Sequence, residues 1–147
     1  MKKILFFVLI LIFIIVLAGC QNDKIEIISD GDPGDITFSV YGKDGEAIID
    51  NTGVKYKKNI TVADLSRGVC RELKIPIVFS GAGDLTYLKG INNLFEFDHG
   101  PLSGWIYFVN GESQGMGSHS YIVQDGDHIE WKYTLDLGKD IGADFAE

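Results

Sequence analysis

The side chains best suited to chemistry gather in one loop, Glu112-Ser113-Gln114-Gly115-Met116-Gly117-Ser118-His119-Ser120. Gly115 and Gly117 permit unusual backbone angles and close approach of a ligand. Ser113, Gln114, Ser118, His119 and Ser120 bring hydrogen-bond donors and acceptors, and Met116 brings an adaptable apolar surface. A neutral His119 imidazole could coordinate a metal ion, although a lone histidine in a polar loop is more often simply solvated. The loop follows a run in which Trp105, Tyr107 and Val109 alternate with Ile106 and Phe108. If the first set faces a core, Ile106 and Phe108 face outward beside the loop, either as a contact surface or under another loop. The expected ligand-facing surface is therefore Ser113 to Tyr121, with Leu102, Ser103, Ile106 and Phe108 alongside.

Catalytic alternatives find little support. "GAGDLT" and "GMGSHS" lack the third glycine of a dinucleotide-binding loop, and neither opens a convincing helix. Ser118, His119 and Ser120 are adjacent in sequence, whereas triads are assembled in space. His99, His119 and His128 have no metal-motif spacing. Asp30, Asp32 and Asp35 suggest a calcium loop, but Gly34 stands where a ligand is required and no glutamate closes the loop. Cys70 lies beside an apolar helical stripe and reads as a buried, inert thiol. No nucleophile with its base can be named, so the reading is a binding protein without enzymatic activity and without a tightly bound cofactor.

The elements that must carry this loop follow an N-terminal segment of another kind. Lys2 and Lys3 precede an unbroken apolar run from Ile4 to Val16 and then Leu17-Ala18-Gly19-Cys20. A charged start, a short apolar run and small residues describe a secretory leader, too short for a permanent span. "LAGC" resembles the lipobox of bacterial lipoproteins, which implies cleavage before Cys20 and a lipid on its sulfur. The expected organisation is a leader at 1–19, a flexible acidic tether at 20–35 and one domain at 36–147. The implied location is extracytoplasmic, held at the bacterial cell membrane through the lipid on Cys20.

The 147-residue chain has a net charge of −8, or −10 once Lys2 and Lys3 leave with the leader. So acidic a chain repels nucleic acid and anionic headgroups, which leaves the lipid as the anchor. Cys70 has no cysteine partner downstream of Cys20, so the core must stand on packing.

Within the domain, alternation predicts strands over Ile36–Tyr41 and Ala47–Tyr56, joined by the turn "KDGE". Thr61-Val62-Ala63-Asp64 has the form of a capping box. Val62, Leu65, Val69 and Leu73 then share one helical face, and Pro76 marks the stop. "IVF", "LTYLKGI" and "LFEF" suit short strands. Trp105–Val109 leads into an Asn110-Gly111 hairpin turn, and Tyr121–Val123 and His128–Thr134 give two more strands. In the last, Ile129, Trp131 and Tyr133 face one way. One helix among several strands, without regular alternation, predicts an α+β fold with a curved sheet gripping the helix.

The run Gly104-Trp105-Ile106-Tyr107-Phe108-Val109-Asn110-Gly111, followed by a loop, Tyr121 and Asp125-Gly126-Asp127-His128-Ile129-Glu130-Trp131-Lys132-Tyr133, resembles a known pattern. It is similar to the small C-terminal domain shared by transcobalamin, intrinsic factor and many bacterial surface lipoproteins. The resemblance covers roughly residues 35–138. It implies a β-grasp-like fold and puts Trp105, Tyr107, Val109 and the aromatics of the last strand in the core. It also implies capture of cobalamin or another corrinoid, with delivery to an uptake transporter, and would make cobalt a partner for His119. Two other functions stay open on the residues alone: a surface module that contacts a protein or wall polymer, and a small metal-binding lipoprotein using His119 and nearby carboxylates.

Overall fold

A computed structural model describes residues 25–27, 33–57 and 59–144. The expected leader and Cys20, the expected site of lipidation, lie outside the described residues.

Strand β1 (Ile25–Ile27) pairs parallel with β3 (Ala47–Lys57), and β3 pairs antiparallel with β2 (Pro33–Tyr41). The β2–β3 turn passes through Asp44 and Gly45 at φ of 59° and 79°, left-handed positions that suit Asp and Gly. Helix α1 (Val62–Glu72) follows, and then a small antiparallel sheet of β4 (Ile77–Ser80), β5 (Tyr87–Ile91) and β6 (Leu94–Phe95). The chain returns to the main sheet with β7 (Gly104–Val109), β8 (Glu112–Ser113) and β9 (His128–Thr134). The main sheet has the order β1-β3-β2-β9-β7-β8, with β9 parallel to β2 at its centre. One helix against a mixed sheet, with the last long strand inserted beside the first hairpin, is an α+β and broadly β-grasp-like arrangement. Among the described residues the sheet is open, with β1 and β8 as its edges, and it is not found to be strongly curved.

Helix α1 forms where its start signal predicts. Thr61 Oγ1 accepts from the Asp64 N–H at 3.2 Å, and Asp64 in the first turn pairs with Arg67 at 2.8 Å. The N–H groups of Val62 and Ala63 donate to the carbonyls of Tyr121 and Ser118, so a distant loop completes the cap. The helix ends before Pro76, because Lys74 turns left-handed at φ 57°. Leu73 is its C-cap and is exposed, so it leaves the buried stripe expected from the sequence, and Cys70 joins it. Val62, Leu65, Val69 and Cys70 pack into one cluster with Phe38, Val40, Ile129 and Trp131 of the central strands. Inside that cluster the Trp131 Nε1–H donates to Ser66 Oγ at 2.8 Å, and Ser66 Oγ donates to the Val62 carbonyl. Burial pushes the Cys70 thiol up to about 12, which keeps it protonated and inert.

Several elements depart from expectation. The segment 20–35 contains paired backbone: Ile25–Ile27 lies in the sheet because Ile27 packs over Gly68, where a Cβ would sit 2.9 Å from Ile27 Cδ1. Strand β2 likewise begins at Pro33. Tyr121–Val123 is not a strand. Its backbone is taken by Ile60 and Val62 on either side of a single bridge between Thr61 and Ile122. Phe108 does not face solvent and is 1% exposed. Its side of β7 is covered: Lys132 Nζ lies 4.4 Å from the ring centroid, and beyond β9 the chain returns to bond Asp140 to Thr134 and Asp144 to Ser113. Among the described residues no helix is long and apolar enough to cross a membrane.

Candidate functional site

The motif aromatics of β7 and β9 tie the two sheets together. Trp105 donates its indole N–H to the Leu94 carbonyl at 2.9 Å, and the Tyr133 hydroxyl donates to the Phe95 carbonyl at 2.8 Å. Both acceptors belong to β6. The Tyr133 hydroxyl also lies 3.0 Å from Ser103 Oγ, and its ring meets Trp105 edge to face at 5.2 Å. These contacts fix the small sheet at an offset from β7, and the offset leaves a cleft.

That cleft has a volume of about 520 Å³, within the ordinary range for small-molecule sites. Tyr87 and Leu88 of β5 form one wall. Residues of the 96–106 segment, among them Glu96, Phe97, Leu102, Trp105 and Ile106, form another, and Thr134 and Leu137 close the end. A second hollow of about 200 Å³ shares Tyr87, Leu88, Trp105 and Ile106 and adds Thr86, Tyr107, Gln114, Gly117, Ser118 and Trp131. The two adjoin across Tyr87, Leu88, Trp105 and Ile106, and both are mainly apolar, with Glu96, Ser103 and Thr134 among the polar groups of the larger and Thr86, Gln114 and Ser118 among those of the smaller.

Two cleft residues contradict the usual logic of loops. Phe97 is 61% exposed at φ 68°, and Leu137 is 59% exposed at φ 48°. Left-handed backbone disfavours bulky side chains and normally recruits Gly, Asn or Asp. Backbone bonds hold both residues there: the Phe97 N–H donates to the Ser103 carbonyl and the Leu137 N–H to the Leu102 carbonyl, each at 3.0 Å. Asp140 braces the Leu137 turn by accepting from Thr134 and from the Leu135 N–H. Burial raises its carboxyl pKa, but the bonds from Thr134 and from backbone N–H groups outweigh that, and the net shift is downward.

The structure divides the residues expected to face a ligand. Leu102, Ser103 and Ile106 line the main cleft, and Gln114 and Ser118 line the adjoining hollow with Ile106. Phe108, Ser113, Met116, His119 and Tyr121 line neither. Ser103 is buried, with its hydroxyl donating to the Gly100 carbonyl and accepting from the His99 N–H. Ser113 Oγ is bonded to the backbone of Asp144. Met116 is exposed, while its carbonyl accepts from the Tyr107 hydroxyl at 2.8 Å. Burial pushes that hydroxyl up to about 12, so it remains a donor. The His119 ring lies against Gly117, where a Cβ would be 2.6 Å from Cε1, and its Nε2 is 2.9 Å from Ser120 Oγ. Tyr121 reaches the Asp127 carboxylate at 3.4 Å. Asp127 is buried, accepts from Asn110 and from the Gln124 N–H, and so holds the second motif's turn. The loop is thus stitched to α1, to β7 and to the chain end rather than hanging free.

Sequence reasoning missed Tyr87, Glu96, Phe97 and Leu137. The available signal was local: Phe97 precedes the turn "DHGP" and Leu137 stands inside "DLGKD", positions where an apolar side chain does no folding work. Among the described residues no group of three or more His, Cys, Asp or Glu side chains could hold a metal ion.

A domain with two docked sheets and an apolar cleft between them has the build of a binding module. A family described only as a domain of unknown function (DUF4430) matches residues 75–135, which includes β4 to β9 and the cleft walls up to Thr134. A comparison with curated proteins finds no match. Among solved structures, a crystal structure of haptocorrin in complex with Cbi superposes with a TM-score of 0.62 at 16% identity. That match covers 75% of this chain and 27% of the haptocorrin chain. A candidate metal-binding protein from Ruminococcus gnavus superposes with a TM-score of 0.51 at 14% identity, covering 69% of this chain and 96% of that one. At these identities the likeness is one of fold. The chain corresponds to about a quarter of the length of haptocorrin.

Proposed function

We propose that this chain is a lipid-anchored extracytoplasmic binding protein, held through Cys20, whose cleft takes cobalamin or a related corrinoid for hand-over to an uptake transporter. The observation that carries the binding reading is the pair Phe97 and Leu137. Two large apolar side chains stand exposed on left-handed backbone, and both line one cleft. Neither exposure nor that backbone favours folding, which is the signature of residues kept for a ligand. A corrinoid offers a broad apolar ring edged with amides. The larger hollow suits the ring, and Gln114, Ser118 and Thr86 in the smaller one suit the amides. The fold shared with part of haptocorrin supports the same ligand class by analogy alone. Net charge makes nucleic acid a poor partner, and the reading involves no catalysis.

The test is a visible-absorbance titration of the protein with hydroxocobalamin, alongside the double variant Phe97→Asn, Leu137→Asn. Asparagine tolerates left-handed backbone, so the variant is expected to melt at or slightly above the parent temperature, with a gain of about 1 kcal/mol or less. Corrinoid affinity is expected to fall at least tenfold. A variant that binds as tightly as its parent removes the cleft from consideration, and a variant that unfolds shows that the two side chains serve stability instead.

A further inference from the structure

We infer that the cleft selects a ligand bearing a positive charge, an organic cation such as a quaternary ammonium or protonated amine, seated between aromatic rings and the Glu96 carboxylate. The inference rests on the cleft being the binding site and adds the charge of what it binds.

Among the described residues that line the two hollows, Glu96 is the one whose side chain ordinarily carries a charge at neutral pH. No lysine, arginine or histidine lines either. Its Oε1 accepts from the Tyr87 hydroxyl at 3.1 Å, and among the described residues it has no basic partner. Some carboxylates of this fold have a cation beside them, Asp64 with Arg67 at 2.8 Å, Glu130 with Lys132 at 3.3 Å and Glu26 with Lys55 at 3.7 Å, whereas Asp127 and Asp140, like Glu96, are held by hydrogen bonds. Glu96 is half-buried, with its bond to Tyr87 exposed, so its carboxylate lies at the edge of the apolar wall within reach of both solvent and a ligand in the cleft.

The aromatic side chains point the same way. Tyr87, Phe97 and Trp105 line the same cleft as Glu96, and aromatic faces attract cations, most strongly when desolvated. Away from the cleft, this protein already pairs phenylalanine faces with its own cations: Arg67 lies 4.2 Å from the Phe79 centroid and Lys132 lies 4.4 Å from that of Phe108. Phe97 and Tyr87 have no such partner among the described residues, and Phe97 is the most exposed ring of the cleft. A net charge of −8 adds a long-range field that draws cations in.

The probes are benzyltrimethylammonium and its neutral carbon isostere, neopentylbenzene, titrated against the full protein with tryptophan fluorescence as readout. The cation is expected to bind about tenfold more tightly than the isostere. Glu96→Gln preserves side-chain volume and an acceptor for Tyr87, should melt with the parent, and is expected to bring the preference down to about twofold. Equal affinities, a preference that survives Glu96→Gln intact, or no binding of either probe each overturns the inference. Corrinoid binding at the cleft without cation preference leaves the functional reading standing and removes this one. Cation preference without corrinoid binding does the reverse.

Discussion

The two tryptophans occupy neighbouring strands and serve opposite ends. Trp131 is buried between sheet and helix, with its indole N–H bonded to Ser66 of α1 and the rings of Phe79 and Tyr107 around it at 6.3 and 5.5 Å. Trp105 is half-exposed, with its indole N–H bonded to a backbone carbonyl of the small sheet and its residue lining both hollows. The first indole joins helix to sheet and the second joins sheet to sheet. A helix packed on a sheet closes over its contact, whereas two sheets held at an offset leave a gap. The same side chain is therefore mainly core in one place, where Trp131 touches only the smaller hollow, and mainly wall in the other, where Trp105 lines both.

The comparison breaks first at Trp131. Emptying its site through Trp131→Ala is expected to lower stability by about 3–5 kcal/mol, since the cavity cannot close and Ser66 loses a partner. A denaturant midpoint near that of the parent would mean that the indole is not what holds α1 down. Trp105→Ala should lower stability less, by roughly 1–3 kcal/mol, because much of the ring already meets solvent. Its larger consequence should be at the cleft, where corrinoid affinity is expected to drop more than stability predicts. Equal stability losses at both positions would erase the distinction between core and wall. The smallest effect expected is at Asp140, which braces the Leu137 turn. Its carboxyl titrates below the usual value of 3.8 in the folded state. Its contribution is therefore present above the unfolded pKa and lost as pH falls through the lower folded one. Comparing acid melts of the parent and Asp140→Asn below pH 4 should show a shallower dependence in the variant, and parallel curves would show that the brace is idle.

Much of the core was legible because its signals are local. Period-two alternation placed Ile129, Trp131 and Tyr133 on one face, Asn110-Gly111 marked a two-residue turn with both φ angles positive, and Thr61 announced the helix. At Phe108 two readings stayed open, contact surface and cover by another loop, because alternation distinguishes the two faces of a strand but does not say whether the second face is covered. Here Phe108 is buried, with Lys132 lying over its ring. The cleft was legible only in part. Leu102, Ser103 and Ile106 were reached through proximity to a conspicuous loop, but the gap depends on where a three-stranded sheet of short strands docks, through Trp105 and Tyr133, onto residues far from it in sequence. The loop itself drew attention by its composition, while the carbonyls of Ser118 and Tyr121 cap α1 and that of Met116 accepts from Tyr107.

The strand order has a consequence for delivery. The chain enters the sheet at β1, on one edge, and the cleft lies against β7, four strand spacings away, or about 19 Å across the sheet. A surface that grips the polypeptide upstream of Ile25 holds the domain by one rim while the mouth opens near the other. Under the proposed function, a corrinoid would reach the cleft from the side of the domain opposite its anchored rim.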